Sequence, residues 1–228
     1  MKINIYVRRH SVTNANVETR YAGGRTDEPL NERGLKLAES KKKDFDGLVF
    51  ASPMTRCIQT AGLIYGKGGI SEKSALDISN DASLNREKFS GCLRFVEGLD
   101  IGLIEDFREV DFGVFENQPD AVLKKDPRFI EWMKTGGEIG FPDGEQTDTF
   151  KERIRRGLYI VTSECERANK DAALITHGGV VMGMLGYFAK EKRPLYKWHI
   201  QNTEGYRISI DTEEFSGERF INVEEFLE

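Results

Sequence analysis

Cysteine, long apolar runs and an excess of positive charge are what this chain lacks, and each shortage narrows its class. Cys57, Cys92 and Cys165 stand far apart with no CxxC spacing, so neither a disulfide framework nor a zinc site is indicated. Nowhere do about 18 apolar residues follow one another, as a membrane-spanning helix would need. The N-terminal apolar run is cut by Arg8 and Arg9, which speaks against a secretory leader, and a reduced, cytoplasmic protein is expected. The 38 acidic residues outnumber the 33 Lys and Arg, for a formal net charge of -5. Nucleic acid or an anionic membrane surface would select the opposite balance, so neither is expected as a partner. Repeats and low-complexity tracts are missing, and the glycines of GKGGIS lead into no Gly-Lys-Ser or Gly-Lys-Thr ending, so a nucleotide P-loop is not expected. Histidine is the last scarcity. There are three, and where they fall matters.

What is present reads as strands alternating with helices. INIYV is a short β-rich apolar run, and PLNERGLKLAESKKK offers Asn31 as an N-cap with Leu35 and Ala38 on one helical face. GLVFAS reads as a second buried strand, followed by a helix in SPMTRCIQTAGLIYG with Ser52 as its cap and Pro53 at its first position. Two successive β-α units favour a parallel sheet covered by helices. From residue 66 to 107 the alternation lapses into mixed polarity and scattered glycines, and this segment is expected to form an excursion or cap on a single domain spanning 1–228. Further on, Pro127 breaks or starts a helix in AVLKKDPRFIEWMKTG, and Phe150, Ile154, Leu158 and Val161 mark a long amphipathic helix. DAALITHGGVVMGMLGYFAK gives a strand, a His-Gly-Gly turn and a helix, and a hairpin turning near Ser216 and Gly217 closes the chain.

In open α/β sheets, ligands bind outside the carboxyl ends of the strands. His10 ends the first strand and His177 ends AALIT. If those strands are neighbours, the two imidazoles face each other across one crevice. Arg9 lies beside His10, Arg56 at the start of the second helix is within reach, and Gly178 and Gly179 open a helix whose free N–H groups favour an anion. Such a set suits a dianion such as phosphate, because guanidinium forks match its oxygens. Taken singly, each member has a blander explanation. A histidine beside an apolar run is commonly a satisfied structural residue, Arg8 a solvent-facing neighbour or ion-pair partner, and Arg56 a helix-surface charge. Lys41 to Lys43, Arg153, Arg155 and Arg156 read as solvated helix faces, and His199 as a residue packed on Trp198 or hydrogen-bonded locally. The joint placement of two of three histidines at equivalent strand ends is what points to a site.

Those residues also carry a resemblance. RHSVTNAN, covering Arg9, His10, Thr13 and Asn16, resembles the R-H-G-x-T-x-x-N opening motif of the histidine phosphatase superfamily, also called phosphoglycerate-mutase-like. GRTDEPLNERG is similar to that family's G-x-x-D-x-P-L-x-x-x-G loop, ASPMTRCIQTA to its S-P-x-x-R-x-x-Q-T-A, ITHGG to its second histidine motif, and REVDFGVFEN to the R-E-x-x-x-G-x-W-E-G of the phosphatase branch. The five run in the family's order from residue 3 to about residue 202.

The resemblance implies a three-layer α/β fold, with a mostly parallel central sheet and helices on both faces. It implies His10 as a nucleophile that takes the phosphoryl group, with Arg9, Arg56, His177 and Asn16 holding the phosphoryl oxygens. Glu109 would be the general acid and then the base, with Asp111 its competitor and Glu105, Asp106 and Glu116 as surrounding charges. Thr13, Gly23, Gly24 and Gly178 are candidate substrate contacts, and neither a metal nor another cofactor is required. The implied activity is that of a phosphomonoesterase acting on a small soluble phosphate ester, and DPRFIEWMKTGGEIGFPDGE is similar to α-ribazole phosphatases and broad-specificity relatives. The alternatives are a mutase using the same phosphohistidine and a non-catalytic module that binds a phospho-ligand; an oligomer is left open. Four departures accompany the resemblance. Ser11 replaces the usual glycine, Val12 replaces a common glutamate, Gly23 stands where many phosphatase-branch members carry a side chain reaching the phosphate, and the loop RYAGGRTD is one residue longer than usual.

Overall fold

The structure is a computed structural model that describes residues 1–66, 93–96 (as backbone), 100–136 and 139–228. Its sheet is assembled from β1 (Lys2–Arg9), β2 (Leu48–Ala51), β3 (Leu93–Val96), β4 (Ile101–Ile104), β5 (Ala172–Thr176), β6 (Gly205–Asp211) and β7 (Ile221–Leu227). The spatial order is β3-β4-β2-β5-β1-β6-β7. β4, β2, β5 and β1 run parallel to one another, whereas β3 pairs antiparallel with β4, β6 with β1 and β7 with β6. The parallel strands read as apolar runs because both of their faces are covered, and all five residues of β5 are buried.

Seven helices flank the sheet among the described residues: α1 (Asn14–Val17), α2 (Glu32–Ser40), α3 (Thr55–Tyr65), α4 (Asp120–Leu123), α5 (Pro127–Lys134), α6 (Thr147–Ala168) and α7 (Gly178–Phe188). The alternation of β5 shows how the layers form. Ala172 and Leu174 pack with Ile154, Leu158 and Met184 of α6 and α7 on one face, and Ala173 and Ile175 pack with Leu35, Ala38, Ile58 and Ile64 of α2 and α3 on the other. Each fully buried Leu or Ile contributes about 1.5–3 kcal/mol, so the two apolar layers dominate the energetics that hold the strand ends in place.

Several expectations are met by local chemistry. The Asn31 side chain accepts from the Gly34 N–H and starts α2 with Leu35 and Ala38 buried. Pro127 stands at the first position of α5 behind the capping carboxylate of Asp126. Phe150, Ile154, Leu158 and Val161 are all buried along α6, which stops at Asn169 in the left-handed conformation. β6 and β7 pair as the closing hairpin. Two expectations need correction. Ser52 does not cap α3, whose N-cap is Met54 with no side-chain bond. The segment 66–107 is also not an excursion throughout, because β3 and β4 lie within it and extend the sheet beyond β2; residues 67–92 and 97–99 lie outside the described residues.

Candidate active site

Strand pairing creates the site. β5 lies between β1 and β2, with Arg9 level with Thr176 and Ala51 level with Ile175. The next residue of each strand is therefore His10, His177 or Ser52, and the three emerge side by side at one edge. The backbone N–H of His10 donates to the Thr176 carbonyl at 2.8 Å and that of Ser52 to the Ile175 carbonyl at 2.9 Å, which fixes this alignment. The imidazoles of His10 and His177 meet edge to face with centroids 5.3 Å apart.

Hydrogen bonding sets the proton on each ring. His10 Nδ1 lies 2.6 Å from the Ser11 carbonyl oxygen. A carbonyl only accepts, so Nδ1 carries the hydrogen and the lone pair is on Nε2. In His177, Nδ1 accepts from Arg56 Nε–H at 3.3 Å, which leaves Nε2–H to donate to Ser52 Oγ at 2.8 Å. Both rings are buried, and burial together with Arg56 pushes both pKa values well below the ordinary 6.5; Arg9 adds to the push. Both are therefore neutral imidazoles.

The cations are held from behind. Arg56, in the first turn of α3, is 1% exposed. Its Nη1 donates to the Thr26 carbonyl at 2.8 Å, and its Nη2 to the carbonyls of Ala22 and Gly23 at 3.4 and 3.5 Å. One turn further along α3, Gln59 accepts the Leu30 N–H and Thr60 accepts the Ser11 N–H, so the helix also pins both neighbouring loops. Arg9 donates through Nη1 to the Ile200 carbonyl at 3.0 Å, whereas its buried Nε has no hydrogen-bond partner. A buried guanidinium N–H without a partner is a donor open to a ligand. Burial lowers the Arg9 pKa, and Glu109 partly counters this; a guanidinium stays charged regardless.

Glu109 reaches the same place from the segment after β4. It is 8% exposed, and its two oxygens accept from the backbone N–H groups of Val110 at 2.9 Å and Gly179 at 3.1 Å. The second of these opens α7, where the helix end favours a carboxylate. A Cβ on Gly179 would stand 2.5 Å from Glu109 Oε1, so only glycine allows the approach. Burial raises the Glu109 pKa against the opposing pull of those two N–H groups, Arg56 and Arg9. The nearby carboxylates are otherwise engaged. Asp111 pairs with Arg25, Glu105 with Arg108 and Asp106 with Arg156, while Glu116 accepts from the loop N–H groups of Gly23 and Arg25 and from Thr26 Oγ1. Beside Glu109 opens a cleft of about 510 Å³, also lined by Arg25, Arg108, Asp111, Arg153 and Arg156.

The remaining candidates divide. Asn16 lies near His10 through Asn202, whose Nδ2 donates to the carbonyls of His10 and Ser11 and to Asn16 Oδ1. With Oδ1 also taken by the Thr13 N–H, the Nδ2 donor is the end of the Asn16 amide left for a ligand. Thr13 caps α1 through its hydroxyl. Gly23 is pressed against the Val110 carbonyl, which a Cβ would approach to 2.5 Å, so a side chain at this position does not fit the present loop. Gly24 donates to that same carbonyl at 2.9 Å. Gly178 is the first residue of α7, and a Cβ there would meet only Arg9, at 3.5 Å or more. Ser11 turns its hydroxyl to the Gly34 carbonyl, so this departure is absorbed in packing against α2.

Arg8 corrects the expectation of a solvent-facing residue. It is buried, and its Nη1 donates to the Thr203 and Glu228 carbonyls. Sequence reasoning gave no site role to Ser52, Asn202 or Cys57, whose Sγ is 3.5 Å from His177 Nε2. For Ser52 the signal was available in its position at a strand end; Asn202 comes from a loop that no periodicity marks.

The comparisons with known proteins follow the same lines. The family model described as histidine phosphatase superfamily (branch 1) matches residues 5–84 and 91–223. Among curated proteins none matches the chain. Similar solved structures include the α-ribazole phosphatase from Shigella flexneri, at 19% identity and TM-score 0.66 over 99% of this chain and 96% of that one. Phosphoglycerate mutase from Thermus thermophilus is similar at 24% identity and TM-score 0.60, over 99% of both chains.

Proposed function

We infer the activity from one premise: the chain belongs to the histidine phosphatase superfamily, branch 1. That membership, with a phosphatase and a mutase among its structural neighbours, supports a phosphatase or mutase enzyme. The reading proposed is a metal-independent phosphomonoesterase acting on a small soluble phosphate ester. The observation that carries it is the 2.6 Å contact of His10 Nδ1 with the Ser11 carbonyl, which leaves the lone pair on Nε2 of a ring that packs on His177 and feels the charges of Arg56 and Arg9.

In the proposed first step, His10 Nε2 attacks phosphorus as the P–O ester bond breaks. The electron pair leaves with the alcohol oxygen, which takes the proton of Glu109; its raised pKa keeps that proton available to higher pH than in an ordinary glutamate. In the second, Glu109 as carboxylate takes a proton from water, the water oxygen bonds to phosphorus, and the N–P bond breaks. Arg9 Nε, the Arg56 fork, Asn16 Nδ2 and the Gly178 N–H hold the three equatorial oxygens and the charge on them. His177 contributes by a change of proton. Its Nδ1 accepts from Arg56, so a bond from that nitrogen to the phosphoryl group needs a second ring proton and frees Arg56 Nε–H to turn to a phosphoryl oxygen, both of which the arriving dianion favours.

The test is phosphate release by the purified, metal-stripped protein from a panel of phosphate esters, with trapping of acid-labile phosphoenzyme. Turnover together with a label lost in His10→Ala is expected. A label without net release, accompanied by phosphoryl exchange between positions of the ester, would instead establish the mutase; neither label nor turnover in a folded protein would leave a binding module.

A further inference from the structure

Arg153 was expected on a solvated helix face, and it is not there. Its side chain is 12% exposed, and its guanidinium is committed on every edge. Nε and Nη2 donate to the two oxygens of Glu145 at 2.6 and 2.8 Å, a bidentate pair. Nη1 donates to two backbone carbonyls, that of Asp106 at 2.6 Å and that of Arg108 at 2.7 Å. The fork lies 4.7 Å over the Phe150 ring. The Arg108 carbonyl belongs to the peptide that leads into Glu109, so Arg153 grips the chain one bond before the candidate acid. Glu145 is itself tied to that segment through its N–H, which donates to the Asp111 carbonyl at 3.0 Å. The 106–111 segment is thus held from α6 before Glu109 and from the 141–145 turn after it.

We propose that Arg153, clamped by Glu145, is the positioning residue for the general acid: it fixes the backbone from which Glu109 reaches the Gly179 N–H. The inference rests on Glu109 being the acid. The chemistry selects arginine, because only a planar fork can meet a carboxylate bidentately and two carbonyls at once, whereas an ammonium makes contacts from a single point. Both side-chain bonds of Glu109 are to backbone N–H groups, so its place depends on the backbone that Arg153 holds. Arg153 also adds to the positive field that keeps His177 neutral.

A positioning role predicts a dependence on the leaving group. The experiment compares kcat/KM for phenyl phosphate, whose leaving group needs a proton, with that for 4-nitrophenyl phosphate, whose leaving group needs little, in wild type, Glu109→Gln, Arg153→Met, Arg153→Lys, Glu145→Gln and the double variants with Glu109→Gln. Thermal melting reports that each is folded, and Glu145→Gln, which keeps the shape of the side chain, carries the test if the Arg153 variants do not fold. Arg153→Met and Glu145→Gln are expected to lose on the order of 10-fold or more on phenyl phosphate relative to 4-nitrophenyl phosphate, with Arg153→Lys failing to restore the difference and no further loss when Glu109→Gln is added. Equal losses on both esters, or losses that multiply with those of Glu109→Gln, would overturn the positioning role while the acid assignment stands. Absence of any leaving-group dependence in Glu109→Gln itself would overturn the acid assignment and the inference with it.

Discussion

At the scale of single residues, burial shifts the groups of the site away from their ordinary acid-base behaviour, in opposite directions. His10 is held neutral by burial and by Arg56 and Arg9, while Glu109 is buried enough to keep its proton longer. The two shifts are opposite in sign and give the pH dependence its shape. kcat/KM should stay high well below the ordinary imidazole value of 6.5 and fall on the alkaline side as Glu109 ionises at a pKa above its ordinary 4.5. Glu109→Gln should flatten that alkaline limb in a pH-rate profile; a limb that survives unchanged would belong to another group. Gly179→Ala tests the geometry, because the added methyl would lie 2.5 Å from Glu109 Oε1, whereas one at Gly178 finds nothing nearer than 3.5 Å. Phenyl phosphate hydrolysis should drop by about 10-fold or more in the first and by less in the second. Much of this was legible before folding, because strand-end histidines and their arginine neighbours are spaced by local rules. Asn202 and Arg153 were not, since their partners lie 192 and 45 residues away along the chain.

At the scale of elements, the regular helices and the uninterrupted apolar strands β1, β2 and β5 were easy to read, and β3 and β4 were not. α6 carries its apolar side chains at helical spacing over 22 residues, long enough to overrule local noise. β4 is four residues, IGLI, set among glycine and acidic residues, and it is buried by its place between β2 and β3 and by the core layers on its two faces. β2 is as short, but its apolar run LVFA is unbroken, whereas Gly102 inside β4 weakens the strand signal. α1 was missed for its brevity, being four residues held by the reciprocal bonds of Thr13 and Asn16. The capping of α2 gives a prediction on this scale. Asn31→Ala removes the acceptor for the Gly34 N–H and should cost about 1 kcal/mol in a denaturant titration, with little change in phosphate affinity because Ser11 bonds the backbone carbonyl of Gly34 rather than the cap.

For the whole molecule, the site is a standing cost. Two imidazoles that resist protonation when folded must bind protons readily once unfolded, so the folded state is favoured above the ordinary value of 6.5 and loses ground as pH falls below it toward the depressed folded values. Each histidine accounts for up to about 1.4 kcal/mol per pH unit in that window. An oxyanion that satisfies Arg9 and Arg56 should recover stability, and inorganic phosphate at about 100 times its dissociation constant should add about 2.7 kcal/mol, visible as a rise in melting temperature that His10→Ala and Arg56→Ala diminish. A melting temperature indifferent to phosphate would mean the cations are already satisfied by the protein. The position of β5 between β1 and β2 carries one more consequence. A ribosome that has delivered the chain only as far as residue 171 has released both flanking strands but not the one that joins them, leaving their facing edges unpaired across a strand-wide gap. The arrival of Ala172–Thr176 fills the gap and sets His177 beside His10 in the same event, so competence to bind phosphate can serve as a clock for when synthesis has joined β1 to β2.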